Sequence, residues 1–181
     1  MTMNCYGAVR GGVPKIGWKG AGAARMLALV VAVMLASLAK APMALACTQP
    51  VAPGMSRAMV DLVNAERRSR GLAPMRHDPQ LDALAQAHAC DMVRHGFFGH
   101  VGSGNRDFAQ RVSATGRRGC IMSENLAMGV RTPRDAHRAW MGSAGHRSNI
   151  LHPGHAAIGL GVATPRTGRG MRWVTVFSGQ C

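Results

Sequence analysis

Two stretches decide how this chain folds: Ser123-Glu124-Asn125-Leu126-Ala127, and Trp140-Met141-Gly142-Ser143-Ala144-Gly145-His146-Arg147-Ser148-Asn149-Ile150-Leu151 downstream of it. The second is led by Thr132-Pro133-Arg134-Asp135, a helix start. Thr132 caps, Pro133 sits in the first turn where its missing N–H costs nothing, and Asp135 can reach back as a capping-box carboxylate. That helix is expected to reach Trp140, and Ser143 to cap a short second helix through Leu151. Beyond it, strands are expected near 157–163 and 171–177. The latter alternates, with Trp173, Thr175 and Phe177 on one face and Val174 and Val176 on the other. The turn-rich segment Thr164 to Gly170 makes the pair a hairpin.

Working outward in the other direction, Ser56 is placed as the cap of a helix to about Arg70, with Met59, Leu62, Val63 and Glu66 at helical spacing. Gly71 stops it and Pro74 follows. Asp78 caps the next helix, with Pro79 at its first position. Leu81, Leu84, Ala85, His88 and Met92 form its apolar stripe, and Gly96 closes it. From Phe97 to about Ser123 the sequence reads as irregular. Helices followed by late strands make an α+β domain.

The chain has 181 residues and a formal net charge of +14. Its first part reads as a leader: Arg10, Lys15, Lys19 and Arg25, then Met26 to Ala39 without a charge, then Ala44-Leu45-Ala46. Basic, apolar and small-residue regions in that order form a secretory signal, expected to be removed after Ala46. The apolar run is short for a membrane span, which needs about 20 residues. A lipoprotein anchored at Cys47 is the alternative, weakened by Ala44 where such signals carry Leu. Residues 47–55 read as a short tether and 56–181 as one domain. All basic residues after position 46 are Arg. They are scattered and few aromatics interleave them, which argues against nucleic acid and leaves attraction to anionic lipid or cell-wall polymer open. Cys47, Cys90, Cys120 and Cys181 survive processing, an even number in an oxidising compartment. The expected pairs are Cys90–Cys120, closing the long irregular segment, and Cys47–Cys181, tying the ends. No C-x-x-C pair seeds a tetrahedral metal site.

Further strings stand in a fixed order with the two above: Leu62-Val63-Asn64-Ala65-Glu66-Arg67-Arg68, Ala87-His88-Ala89-Cys90-Asp91-Met92, Phe97-Phe98-Gly99-His100, Gly159-Leu160-Gly161-Val162 and Trp173-Val174-Thr175-Val176-Phe177. In that order and spacing the chain closely resembles the bacterial branch of the CAP superfamily, the cysteine-rich secretory, antigen 5 and pathogenesis-related proteins, over roughly residues 57–178. The resemblance implies an α-β-α sandwich with a small antiparallel sheet between helical layers. It also implies a cleft of His and Glu side chains able to hold a divalent metal. Members have been linked to sterol and lipid binding and some to proteolysis.

Carried over residue by residue, His100 matches the first cleft His and Glu124 the Glu of the Glu-Asn motif. His146 lies in the bacterial Ser-x-x-His element. The second cleft Glu has no match, since Glu66 and Glu124 are the Glu residues after the leader and no carboxylate follows Asp135. His100, Glu124 and His146 could form a three-ligand zinc site with an open position. Alternatively, His100 and Glu124 bond each other and pin the 97–123 segment. His88 reads as a satisfied core residue, and His152 and His155 as a solvated turn. There is no H-E-x-x-H, and Gly142-Ser143-Ala144-Gly145 lacks the G-x-S-x-G spacing. The readings in play are a monomeric secreted module binding a small ligand, lipid or envelope component, a metal-dependent hydrolase, and a structural envelope protein. The missing second Glu favours the first.

Overall fold

The computed structural model describes residues 51–117 and 121–179. The leader, the Ala46 cleavage site, Cys47, Cys120 and Cys181 lie outside the described residues, and with them both expected disulfide pairs. In chain order the elements are α1 (Pro53–Arg68), β1 (Arg76–His77), α2 (Pro79–His95), a 3-10 turn (Ser103–Asn105), α3 (Phe108–Ser113), β2 (Met122–Met128), α4 (Pro133–Gly142), α5 (Ala144–Ile150), β3 (His155–Ala163) and β4 (Arg172–Gly179). The strands form one sheet in the order β1-β3-β4-β2, with β1 parallel to β3 and the other pairs antiparallel.

Alternation along the strands builds a three-layer sandwich. Leu126, Val174 and Val176 face α2 and α3, where they join Leu81, Leu84, Ala85, Met92 and Val112. Ala127, Trp173 and Phe177 face the other way and pack with Met59 and Val63 of α1, Trp140 of α4 and Ile150 of α5. The sheet is thus covered on both faces, the expected α-β-α arrangement. The layer of α2 sits unusually close to β3. A Cβ on Gly159 would collide with the backbone of Leu81 and Asp82, and one on Gly161 with that of Ala85 and Gln86. Asp82 and Gln86 use that proximity, accepting from the Leu160 and Val162 amides at 2.6 and 2.8 Å.

The caps behave as their chemistry dictates. Asp78 accepts from the Gln80 amide at 3.0 Å, and Thr132 from the Asp135 amide at 3.1 Å. Gly71 and Gly96 both take φ of 70°, and the six-to-one bonds Leu72 to Arg67 and Phe97 to Met92 close left-handed helix ends.

Several expectations need correction. Helix α1 begins at Pro53, so Ser56 lies inside it, buried, and Ala52 holds the cap position without a side-chain bond. Ser143 stands at the α5 cap position but makes no capping bond. The segment from Phe97 to Ser123 is not wholly irregular: α3 is started by a reciprocal capping box between Asp107 and Gln110. The Glu-Asn motif lies on strand β2, and β1 and β2 widen the expected hairpin to four strands. His155 is buried and stacked on Phe177, not solvated, whereas His152 is exposed. Phe98 of the Phe97-Phe98-Gly99-His100 string is 44% exposed.

Candidate functional site

Glu124 sits on β2 with its side chain turned toward the α2–α3 layer and almost wholly buried. A buried carboxylate needs partners, and three side chains supply them. His100, on the segment after α2, brings Nδ1 to 2.8 Å from Oε1. Arg111, on α3, donates through Nη2 to both carboxylate oxygens at 2.9 and 2.7 Å. His88 of α2 brings Nε2 to 4.0 Å. Arg111 also donates through Nη1 to the His100 carbonyl at 2.5 Å, and His88 Nε2 donates to the Gly99 carbonyl at 2.9 Å. One carboxylate therefore fastens α2, α3 and the 99–100 backbone to the sheet.

His146 is held differently. Residues 124 and 125 alternate, so Asn125 points to the opposite layer. There its amide donates to the His146 carbonyl at 3.0 Å and its oxygen accepts from Asn149 at 2.8 Å. Helix α5 belongs to that layer through Ile150. Burial pushes the His146 pKa down, and the neighbouring His100 adds to the effect. His100 and Glu124 meet; His146 makes no side-chain hydrogen bond or ion pair to either among the described residues.

The residues do not fit a three-ligand zinc site as arranged. Among the described residues no three His, Cys, Asp or Glu side chains come together closely enough to hold a metal. The physical reason is twofold. His146 makes no side-chain hydrogen bond or ion pair to His100 or Glu124 among the described residues, and a permanent guanidinium already covers both Glu124 oxygens.

Arg111 is the residue sequence reasoning missed. Its signal was present: Asp107 followed three residues later by Gln110 is a capping-box pattern, which places a helix at 108–113 and Arg111 on it. His88 is the core residue expected, but not a fully satisfied one. Burial pushes its pKa below the ordinary value, with the opposing pull of Glu124 and push of Arg111 secondary. With Nε2–H engaged by Gly99, its Nδ1 is a bare acceptor, buried and without a partner among the described residues. Arg111 Nε is a buried donor in the same condition. Both side chains line a cleft of about 600 Å³ along α2, facing residues 106–115.

Comparison with known proteins places this geometry. The family model for the cysteine-rich secretory protein family, CAP, matches residues 60–178. The uncharacterized protein YkwD of Bacillus subtilis is 34% identical over 122 residues, 67% of this chain and 46% of that protein. This chain thus spans less than half the length of that relative. An outer surface protein of Borrelia burgdorferi has a similar structure, with a TM-score of 0.63 at 17% identity, covering 69% of this chain and 92% of that one. So does an extracellular protein containing an SCP domain from Bacillus anthracis, with a TM-score of 0.60 at 24% identity, covering 73% and 45%. The fold, the order of its motifs and the family match agree, and the chain belongs to the cysteine-rich secretory protein (CAP) family.

Proposed function

We propose that this chain is an exported, monomeric binding module. In this reading its CAP domain follows a leader removed after Ala46 and holds a small ligand, lipid or other cell-envelope component beside the His100–Glu124–Arg111 group. The observation that carries the reading is the guanidinium of Arg111 on both oxygens of Glu124. A carboxylate already paired with a permanent cation is a poor metal ligand and a poor general base. It serves better as the fixed wall of a site than as a reacting group. Export is supported by the surface and extracellular descriptions of the two similar structures. No helix of the described residues is long and apolar enough to cross a membrane.

Metal-dependent hydrolysis is the second reading. It has the proximity of His146 to His100 in its favour. Native mass spectrometry of the exported protein separates the two. The binding-module reading expects a mass beginning at Cys47 and a retained organic ligand. Zinc titration of the wild type and of Glu124→Gln supplies the other arm. A ligand-free protein that binds zinc stoichiometrically, and loses it on that substitution, would transfer the assignment to the metal reading.

A further inference from the structure

The cleft along α2 is polar at both ends and apolar in its middle. The residues of α2 that line it run from Gln80 to Arg94 on one helical face, which at 1.5 Å per residue makes a groove roughly 20 Å long. Ala83, Leu84 and Ala87 floor its middle, with Ala114 opposite. Asp91 and Arg94 lie at the far end, where Arg106 and Arg111 face them. Arg117 holds the near end together, donating to Asp78 at 2.9 Å and to Gln80 at 2.8 Å.

The charges at the far end are not internally settled. Asp91 is engaged: Ser103 donates to it through its amide at 2.8 Å and its hydroxyl at 2.6 Å, and His95 lies at 3.5 Å. Arg111 is paired with Glu124, yet its Nε remains a buried donor without a partner among the described residues. Arg94 and Arg106 are exposed and take part in no ion pair among the described residues. Beside them His88, whose side chain is 0% exposed, presents its bare Nδ1 acceptor. The buried Arg111 Nε lacks an acceptor that an anion can supply, Arg94 and Arg106 stand exposed beside it, and guanidinium matches the oxygens of phosphate well. A buried bare acceptor beside them calls for a hydroxyl donor on the same ligand.

We infer that this cleft is a binding site for a phosphate ester that also carries a hydroxyl. The phosphate lies among Arg94, Arg106 and Arg111, the hydroxyl donates to His88, and any adjoining apolar portion lies along Ala83, Leu84 and Ala87. The inference rests on the binding-module reading and gives it a ligand chemistry. Two sources carry that chemistry: a phospholipid headgroup and a soluble polyol phosphate. One feature leans toward the membrane source. The segment tied to His88 and Arg111 through the Gly99 and His100 carbonyls carries Phe98 and Val101, 44% and 49% exposed. Apolar side chains presented beside a cationic cleft suit a lipid surface.

The test uses the exported protein with phosphatidylglycerol vesicles, phosphatidylcholine vesicles and free glycerol 3-phosphate. Binding to phosphatidylglycerol and not to phosphatidylcholine is expected at physiological salt. Combined Arg94→Gln and Arg106→Gln should weaken it at least about tenfold. Arg166→Gln with Arg169→Gln, on the β3–β4 connection, is the control for general surface charge and should change it less than about twofold. Free glycerol 3-phosphate binding as tightly as the vesicles, with the same dependence on Arg94 and Arg106, would assign the soluble source within the same proposal. Equal losses in both arginine pairs would overturn the site. Failure of all these probes, while native mass spectrometry still finds a retained ligand, would overturn the phosphate chemistry alone. A protein that retains no ligand of any kind would instead sink the binding-module reading.

Discussion

At the scale of single residues, Arg67 shows how far this fold relies on fixed cations. It is 0% exposed, yet no acid meets it among the described residues. Four carbonyls do: Ala73 at 2.8 Å from Nε, Ile150 and His152 at 2.8 and 2.9 Å from Nη1, and His155 at 3.1 Å from Nη2. Burial pushes its pKa down, but a guanidinium starts so high that it stays charged. Arg67→Met should cost about 3 kcal/mol, because it strands the buried Ile150 and His155 carbonyls at about 1–3 kcal/mol each. Urea unfolding of the two proteins measures it, and a loss under about 1 kcal/mol would mean that water replaces the guanidinium. This role was not legible in Leu62 to Arg68. Arg67 and Arg68 are adjacent and chemically identical, and only the tertiary carbonyl cage distinguishes them. The pairing of His100 with Glu124 was legible through motif order. The helix of Arg111 is legible in Asp107 and Gln110, but the reach of its guanidinium to Glu124 is not, because only the tertiary fold brings α3 against β2.

At the scale of elements, the capped helices were legible and strand β2 was not. Asp78-Pro79 and Thr132-Pro133 announce their helices through local chemistry, and no tertiary contact is needed to read them. Strand β2 carries Ser123, Glu124 and Asn125 in a row, three polar residues that break the alternation of a half-buried strand. They tolerate burial only because Arg111 and His100 meet one, and His146 and Asn149 meet another. The contact of α2 with β3 offers the sharpest test at this scale. Gly161→Ala adds one methyl where the backbone of Ala85 and Gln86 already stands. It should destabilise by about 1–3 kcal/mol through overpacking. Gly96→Val should cost more than about 1 kcal/mol for a different reason: a β-branched residue is strained at φ of 70°. Thermal unfolding of both variants distinguishes packed elements from loose ones, since an unchanged Tm for Gly161→Ala would require α2 to ride higher on the sheet.

At the scale of the whole molecule, stability should depend on acidity through buried imidazoles. His88, His137, His146 and His155 all have pKa values lowered below the ordinary 6.5, in each case first by burial. Below that ordinary value the unfolded chain binds protons that the folded chain refuses. Stability is therefore full above about pH 6.5 and declines as pH falls toward the folded-state values, by up to about 1.4 kcal/mol per pH unit for each group. Urea midpoints from about pH 8 to about pH 5 should fall, and His88→Gln should flatten the slope even if it lowers the midpoint at every pH. An acid slope identical in wild type and variant would remove His88 from this set.

The alternation of Glu124 and Asn125 on β2 has a consequence for how the chain finds one structure. Side chains on a strand repeat every two residues, so a slip of β2 against β4 by one position exchanges its two faces. The slipped strand would drive a carboxylate into the layer of Trp140 and Ile150 and leave an amide opposite Arg111. Both errors are costly, one as an unpaired charge and the other as an unpaired cation. Two adjacent polar residues with incompatible partners thus proofread the registration of an edge strand that apolar patterning alone would leave ambiguous.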